Sequence, residues 1–333
     1  MKYMEIGKSG IKASVLSLGA WSIGGGAWWE STRDDASVAT IHRALDLGIN
    51  LIDTAPVYGL GHSEEIIGKA IKGRRDKVVI STKATFHWDP EAEGYYAFMV
   101  DDTKVYKCLK KNAIKRDVEN SLQRLGTDYI DILYTHNPAR PPDETPVAET
   151  VEALMDLKRD GKIRAIGSSN VTPQNVEEYL ACGCEIDIIQ KKYSMFERIV
   201  ETTLLPICEK HGISFHAYSP LERGLLTGTV KKDYTFGEKD ARAGQPFWEP
   251  DKMPIAIDFV AGLKNYCEKY NCTQTELAIA FLRSQKDYVN VICGAHKPEQ
   301  IEADVGAADV CISHEDLTDI HGLLEELDRK IAG

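Results

Sequence analysis

Short apolar runs alternate with amphipathic stretches along the whole chain, and nearly every run breaks into polar residues at its C-terminal end. Val15-Leu16-Ser17-Leu18-Gly19 is the first run, and a helical face of Val38, Ile41 and Leu45 follows it, stopped by Gly48. Next comes Ile49 to Ile52, ending in Asp53, then a helix through Ile66, Ile67, Ala70 and Ile71, closed by Gly73. Val78-Val79-Ile80-Ser81-Thr82 ends in Lys83, and Ile130-Asp131-Ile132-Leu133-Tyr134-Thr135 ends in His136, with a helix marked by Ile114, Val118, Leu122 and Leu125 between them. The second half repeats the unit: strands over 163–167, 186–190, 213–220 and 289–293, with helices over 146–160, 173–181, 201–211, 254–269, 274–285, 298–307 and 315–331. Eight strand–helix units in about 300 residues predict a (β/α)8 TIM barrel. The barrel is read as one domain over 1–333, with extra C-terminal helices and no proline- or serine-rich linker. A doubly wound open sheet competes with it, but only a closed ring brings nearly all strand ends to one mouth.

Two stretches break the rhythm. Residues 1–14 carry two short polar-apolar pieces around Gly7-Lys8-Ser9-Gly10, which reads as a hairpin lid rather than a core strand. Residues 84–110 form a polar, aromatic insert containing Phe86, His87, Trp88, Tyr95, Tyr96 and Phe98.

The 333 residues carry a net charge of −11, which argues against nucleic acid and anionic membrane as partners. The N-terminus lacks an apolar signal segment, no run reaches membrane-spanning length, and the eight cysteines form no CxxC pair. Reduced thiols and a cytoplasmic location follow as expectations. Lys2 stands where a phosphate loop ending in Gly7-Lys8-Ser9 needs its first glycine, and no GxGxxG follows the first strand. His62, His87, His136 and His216 have no metal-ligand spacing, so no metal is expected.

Candidate chemistry gathers at three successive strand ends, where Asp53, Tyr58, Lys83 and His136 would converge. A lysine beside a tyrosine favours the phenolate, an aspartate keeps that lysine charged, and a histidine at the same rim can orient an oxygen. Together they form a proton donor and an oxyanion site suited to carbonyl reduction. In the loop after the first strand, Trp21, Trp28 and Trp29 among glycines either face a flat ligand or close the end of the core.

These residues resemble the aldo-keto reductase superfamily along essentially the whole chain. The resemblance rests on Asp53-Thr54-Ala55-Pro56-Val57-Tyr58-Gly59 with Ser63-Glu64-Glu65-Ile66-Ile67-Gly68, on Ser81-Thr82-Lys83, and on Arg124-Leu125-Gly126-Thr127-Asp128-Tyr129-Ile130-Asp131. Gly161-Lys162-Ile163-Arg164-Ala165-Ile166-Gly167-Ser168-Ser169-Asn170 and Pro298-Glu299-Gln300 after Gly294 complete it. Bacterial inositol- and sugar-linked dehydrogenases and the potassium-channel β-subunit branch are the most similar. The resemblance implies an NAD(P)(H)-dependent enzyme that interconverts a carbonyl and an alcohol of a sugar, polyol or related molecule. Tyr58 would be general acid, tuned by Lys83 and Asp53, and His136 would orient the carbonyl. Ser169, Asn170 and Gln190 would hold the nicotinamide carboxamide, Tyr218 would stack on the ring, and Trp21 and Asp53 would also bind the cofactor. Ser219, Pro220, Leu221, Gly224 and Leu225 would follow the pyrophosphate, and Gly294, His296, Lys297, Gln300 and Asp304 the adenosine. Trp21, Trp28, Phe86 and Trp88, with Tyr58 and His136, are candidate substrate contacts, though the insert's aromatics could equally pack on one another. At the adenine end the family's Glu-Asn pair reads Ala303-Asp304, and its arginine or serine before Pro-Glu-Gln is replaced by His296-Lys297. Lys297 beside a 2′-phosphate tips the expectation toward NADP(H) over NAD(H), against the charge of Asp304. A cofactor-sensing regulatory module and a redox-neutral epimerase or lyase that recycles bound cofactor remain alternatives.

Overall fold

The computed structural model describes residues 1–26, 29, 32–88, 94–237, 240 and 242–332. An antiparallel hairpin, β1 (Tyr3–Glu5) and β2 (Lys12–Ser14), leads into β3 (Leu16–Gly19), α1 (Asp34–Asp46), β4 (Leu51–Asp53), α2 (His62–Ala70) and β5 (Val79–Ala84). The insert then forms a small antiparallel sheet of β6 (Phe86–His87), β7 (Tyr95–Val100) and β8 (Thr103–Lys107). Next come α3 (Lys111–Leu125), β9 (Ile130–Thr135), α4 (Val147–Arg159), β10 (Ile163–Ser169), α5 (Pro173–Ala181) and β11 (Ile186–Lys192). After them stand α6 (Val200–Thr203), α7 (Leu205–His211), β12 (Ser214–Tyr218), α8 (Met253–Gly262), α9 (Lys264–Tyr270) and α10 (Gln274–Arg283). β13 (Val289–Gly294), α11 (Pro298–Val305) and α12 (His314–Ala332) end the chain.

Strands β3, β4, β5, β9, β10, β11, β12 and β13 pair in parallel and close on themselves, the predicted eight-stranded barrel. Residues such as Leu18, Ile52, Ile80, Leu133, Ile166 and Ile189 point outward into the helical layer, which buries them completely or almost so. The strands therefore read as near-continuous apolar runs, as parallel strands covered on both sides do. Local chemistry sets the helix ends: Thr172 and Asn175 cap α5 reciprocally, Thr273 and Glu276 do the same for α10, and Gly126 ends α3 in the left-handed region. The helix predicted over 201–211 is two, α6 and α7, because Pro206 has no N–H and crowds the carbonyl a turn earlier. The one predicted over 254–269 is likewise divided, at Leu263 just after Gly262.

The hairpin is not a lid on the mouth. Ile6, Ile11 and Ala13 are fully buried against Leu51, Val79, Ile132, Tyr134, Ala165 and Ile188, at the N-terminal end of the barrel interior. The Gly7 N–H donates to Ser214 Oγ, at the very start of β12 (2.8 Å). The hairpin is a floor, and the strand ends with the candidate residues lie at the opposite, open end.

Candidate active site

Asp53 ends β4, and the chain turns at once toward Tyr58. Gly59 makes that turn at φ +62°, and a Cβ there would lie 2.0 Å from the Gly24 carbonyl oxygen. Glycine thus locks the Tyr58 segment against the loop that carries Trp21. β5 is paired with β4 so that Ser81 lies opposite Asp53, and Lys83 projects two residues further toward the mouth. Lys83 Nζ donates to Asp53 Oδ2 (2.8 Å) and to the Thr54 carbonyl (2.7 Å), and lies 3.4 Å from Tyr58 Oη. Asp53 Oδ1 accepts from Ser81 Oγ (2.7 Å) and Gln190 Nε2 (2.9 Å). His136 follows β9, its ring 6.2 Å from and perpendicular to that of Tyr58.

The charges settle from these contacts. Burial works against the Asp53 carboxylate, but the Lys83 ammonium and the donated hydrogen bonds hold its carboxyl below the ordinary value. Burial likewise works against the Lys83 ammonium, and Asp53 more than offsets it, so the lysine stays charged. The Tyr58 phenol departs from expectation: burial outweighs Lys83, and its pKa lies above 10. Tyr58 is a protonated donor at neutral pH rather than a phenolate. His136 is pushed down to about 3, by burial first and then by Lys83, so its imidazole is neutral. The arrangement offers one proton donor, one neutral imidazole and a buried cation–anion pair beneath them.

Around this centre the wall is aromatic. Phe86 lies 5.1 Å from His136 and 5.2 Å from Phe98, so the insert packs on itself and on the site at once. Trp88 is held elsewhere, under the Arg124 guanidinium (5.6 Å), itself paired to Glu64. Trp28 lies outside the described residues. Trp21 meets Trp29 edge-on (5.5 Å), Trp29 lies 5.9 Å from His296, and the Arg223 guanidinium lies 5.5 Å from the Trp21 ring. Arg223 was not singled out in the sequence, although it sits between Ser219 and Gly224 in a loop with several left-handed residues.

The predicted cofactor residues are brought together in part. Ser169 Oγ donates to Gln190 Oε1 (3.2 Å), and Tyr218 Oη donates to Asn170 Oδ1 (2.8 Å). Asn170 Nδ2 donates to the His136 carbonyl, which ties this group to the candidate catalytic residues. Amides, a hydroxyl and the Tyr218 ring fit a nicotinamide, and Arg223 over a left-handed loop fits a diphosphate. The Trp29 indole N–H is buried without a partner, an orphan donor in the same neighbourhood. Pro220 and Leu225 are buried, and Leu225 belongs to the core. Gln300 spends its side-chain oxygen capping its own helix, accepting from the His296 and Lys297 N–H groups. Asp304 is buried near Glu276.

Residues 15–325 match the aldo/keto reductase family along nearly the whole chain. The chain belongs to that family. This aldo-keto reductase is 44% identical to the NADH-specific methylglyoxal reductase of Escherichia coli (strain K12), over 99% of the chain and 100% of the relative. It is 34% identical to a probable voltage-gated potassium channel subunit beta of Arabidopsis thaliana, over 93% of the chain and 92% of the relative. The glycerol dehydrogenase of Gluconobacter oxydans superposes with a TM-score of 0.87 at 34% identity, covering 97% of this chain and 95% of that one. As an aldo-keto reductase the protein is an oxidoreductase, and a small carbonyl compound fits it as substrate. Among the described residues, no helix is long and apolar enough to cross a membrane.

The expected NADP(H) preference is overturned by the relative named NADH-specific. The structure supplies a physical reason. Burial, then Glu276, push the Asp304 carboxyl up to about 7. A 2′-phosphate would bring about −2 of charge toward the neighbourhood of Asp304 and Glu276, while Lys297 is exposed to solvent.

Proposed function

We propose that this enzyme reduces a small aldehyde or ketone, of the size of a 2-oxoaldehyde or a short sugar, at the expense of NADH. The observation that carries the reading is the Asp53–Lys83–Tyr58 chain at the base of an open mouth, with neutral His136 across from the phenol. Tyr58 delivers its proton to the carbonyl oxygen, and Lys83, fixed by Asp53 and the Thr54 carbonyl, steadies the phenolate that forms. His136 offers its ring N–H to the same oxygen, which a neutral imidazole can do without adding charge. Bound NADH would supply the hydride to the carbonyl carbon. Ser169, Asn170, Gln190 and Tyr218 would hold its nicotinamide, and Arg223 its diphosphate. The Phe86 ring against His136 sets an apolar wall beside the proton donor, which suits a small substrate.

The test is a nicotinamide absorbance assay on purified protein, with NADH and NADPH in parallel against methylglyoxal, other short aldehydes and ketoses. Turnover with NADH that disappears in Tyr58→Phe supports the reading. Cofactor binding without turnover of any carbonyl would move the assignment to a cofactor-sensing module. Tight retention of unconsumed cofactor during turnover would move it to a redox-neutral reaction.

A further inference from the structure

Below the candidate catalytic residues, the barrel interior is crossed by a continuous belt of buried hydrogen bonds. His216 on β12 is fully buried, with its Nδ1 2.9 Å from Tyr134 Oη and 3.4 Å from Gln190 Nε2. Its Nε2 lies 2.7 Å from Ser17 Oγ, which in turn lies 2.8 Å from Asn290 Oδ1. Asn290 Nδ2 reaches the Ser14 carbonyl (2.6 Å), and Gln190 Nε2 reaches Asp53 Oδ1 (2.9 Å).

Both ends of the belt finish on groups that can only accept, and this fixes every proton between them. The Asp53 carboxylate requires the Gln190 nitrogen, not its oxygen. The second N–H of that amide approaches His216 Nδ1, which must therefore be bare. From the other end, the Ser14 carbonyl requires the Asn290 nitrogen, so Asn290 Oδ1 accepts from the Ser17 hydroxyl. Ser17 Oγ must then accept from His216 Nε2. The two arguments start from opposite sides of the barrel and reach the same tautomer, with Tyr134 donating to Nδ1. Tyr134 is fully buried, and its ring occupies space left by Gly167, where a Cβ would lie 2.4 Å from a ring carbon.

We propose that His216, locked as the Nε2–H tautomer by the acceptors at the two ends of the belt and steadied by the Tyr134 hydroxyl, is a positioning residue that holds the Gln190 amide nitrogen on Asp53 and so fixes the anion against which Lys83 and Tyr58 operate. The other tautomer would set an N–H of His216 against the Gln190 N–H. The amide would then rotate and turn its oxygen toward the Asp53 carboxylate, which repels it. The proposal rests on the reading of Asp53, Lys83 and Tyr58 given above. His216 remains neutral across the working range because burial, above all, pushes it down to about 4.

The test uses the full chain labelled with ¹⁵N-histidine, and turnover of methylglyoxal with NADH. The ring nitrogen shifts of His216, assigned by their absence in His216→Asn, should report a single Nε2–H tautomer at neutral pH. Tyr134→Phe removes only the hydroxyl. It should keep the Nε2–H tautomer, which Gln190 and Ser17 still require, but free the ring to move and lower kcat between ~10- and ~100-fold with KM within about twofold. His216→Asn presents an oxygen where Nδ1 stood and should retain most of kcat, whereas His216→Leu should lose as much as Tyr134→Phe. An Nδ1–H tautomer in the unmodified protein overturns the proposal, and that result needs no variant to fold. So does a Tyr134→Phe protein with undiminished kcat. Tyr58→Phe run alongside separates the two readings, because undiminished turnover there defeats the catalytic assignment while the His216 tautomer decides the belt independently.

Discussion

Lys83→Met tests the buried ion pair directly. Methionine keeps most of the aliphatic stem and deletes the ammonium. Asp53, 4% exposed, would keep its bonds from Ser81 and Gln190 but lose the counter-charge 2.8 Å away. Removing one partner of a buried pair costs ~3–5 kcal/mol. Two surviving donors place the loss near the lower end, about 3 kcal/mol. Its pH dependence has a definite sign. In the native protein the folded carboxyl lies below its unfolded value, so its contribution is present above about pH 4 and is lost as pH falls through the folded pKa. In the variant, unopposed burial raises the folded carboxyl above the unfolded value. The deficit is then greatest at neutral and alkaline pH and shrinks as Asp53 takes up a proton. Urea unfolding at about pH 5 and about pH 8 measures both. Asp53→Asn combined with Lys83→Met removes both charges, so most of the stability should return while turnover stays at least ~100-fold down. A single variant as stable as the native protein at the higher pH would refute the electrostatic account. A double variant that turns over normally would refute the chemical one.

Tyr58→Phe should lower kcat ~10²–10⁴-fold and leave NADH affinity within about twofold, as fluorescence titration would show. Its stability should change by less than about 1 kcal/mol, because the 3.4 Å contact with Lys83 is long. Since the Tyr58 phenol sits above its ordinary value, kcat for carbonyl reduction should stay level until the pH reaches the tyrosine range, ~10, and then fall. Alcohol oxidation should instead climb with pH, and steady-state profiles in both directions check the pair. Burial, then Glu276, raise the Asp304 carboxyl to about 7, so its ionised form costs the fold up to ~4 kcal/mol. Because its folded carboxyl is raised, stability declines as pH climbs from about 4 to about 7. Asp304→Asn should raise the melting temperature at about pH 8 and lose that advantage below about pH 4; equal melting at both would refute it.

Much of the architecture could be read from the alternation of apolar runs and helical faces, because a parallel strand buried on both sides admits few residue types. Asp53, Lys83 and His136 were legible because each interrupts such a run at its end. Tyr58 required the turn chemistry of Pro56 and Gly59. Other features depend on contacts that periodicity does not record. The hairpin looked like a lid because two short polar-apolar strands suit either end of a barrel. Only the burial of Ile6 and Ile11 against Leu51, Val79 and Ile188 assigns it to the floor. Trp88 and Phe86 looked equivalent, yet one is held by Arg124 and the other by His136. Lys297 suggested a phosphate partner, whereas the closeness of Asp304 to Glu276 becomes visible only when α10 and α11 are packed together. Ser17, His216 and Asn290 did leave a signal, as lone polar residues inside apolar runs, but their alignment across β3, β12 and β13 needed the barrel to close.

That closure also sets the order in which the molecule can come into being. β3 pairs with β13, so Leu16 waits for Val291 before the ring exists. The hairpin waits as well, for partners spread from Leu51 to Ile188. On the ribosome Ile6 and Ile11 would be made long before their partners and would stay uncovered until Ile188 has been synthesised. Contacts of such long sequence separation slow folding and prolong the exposure of unpaired strand edges. No partial barrel assembles the belt beneath Asp53, so fragments truncated before residue 291 should show helical content without a competent site.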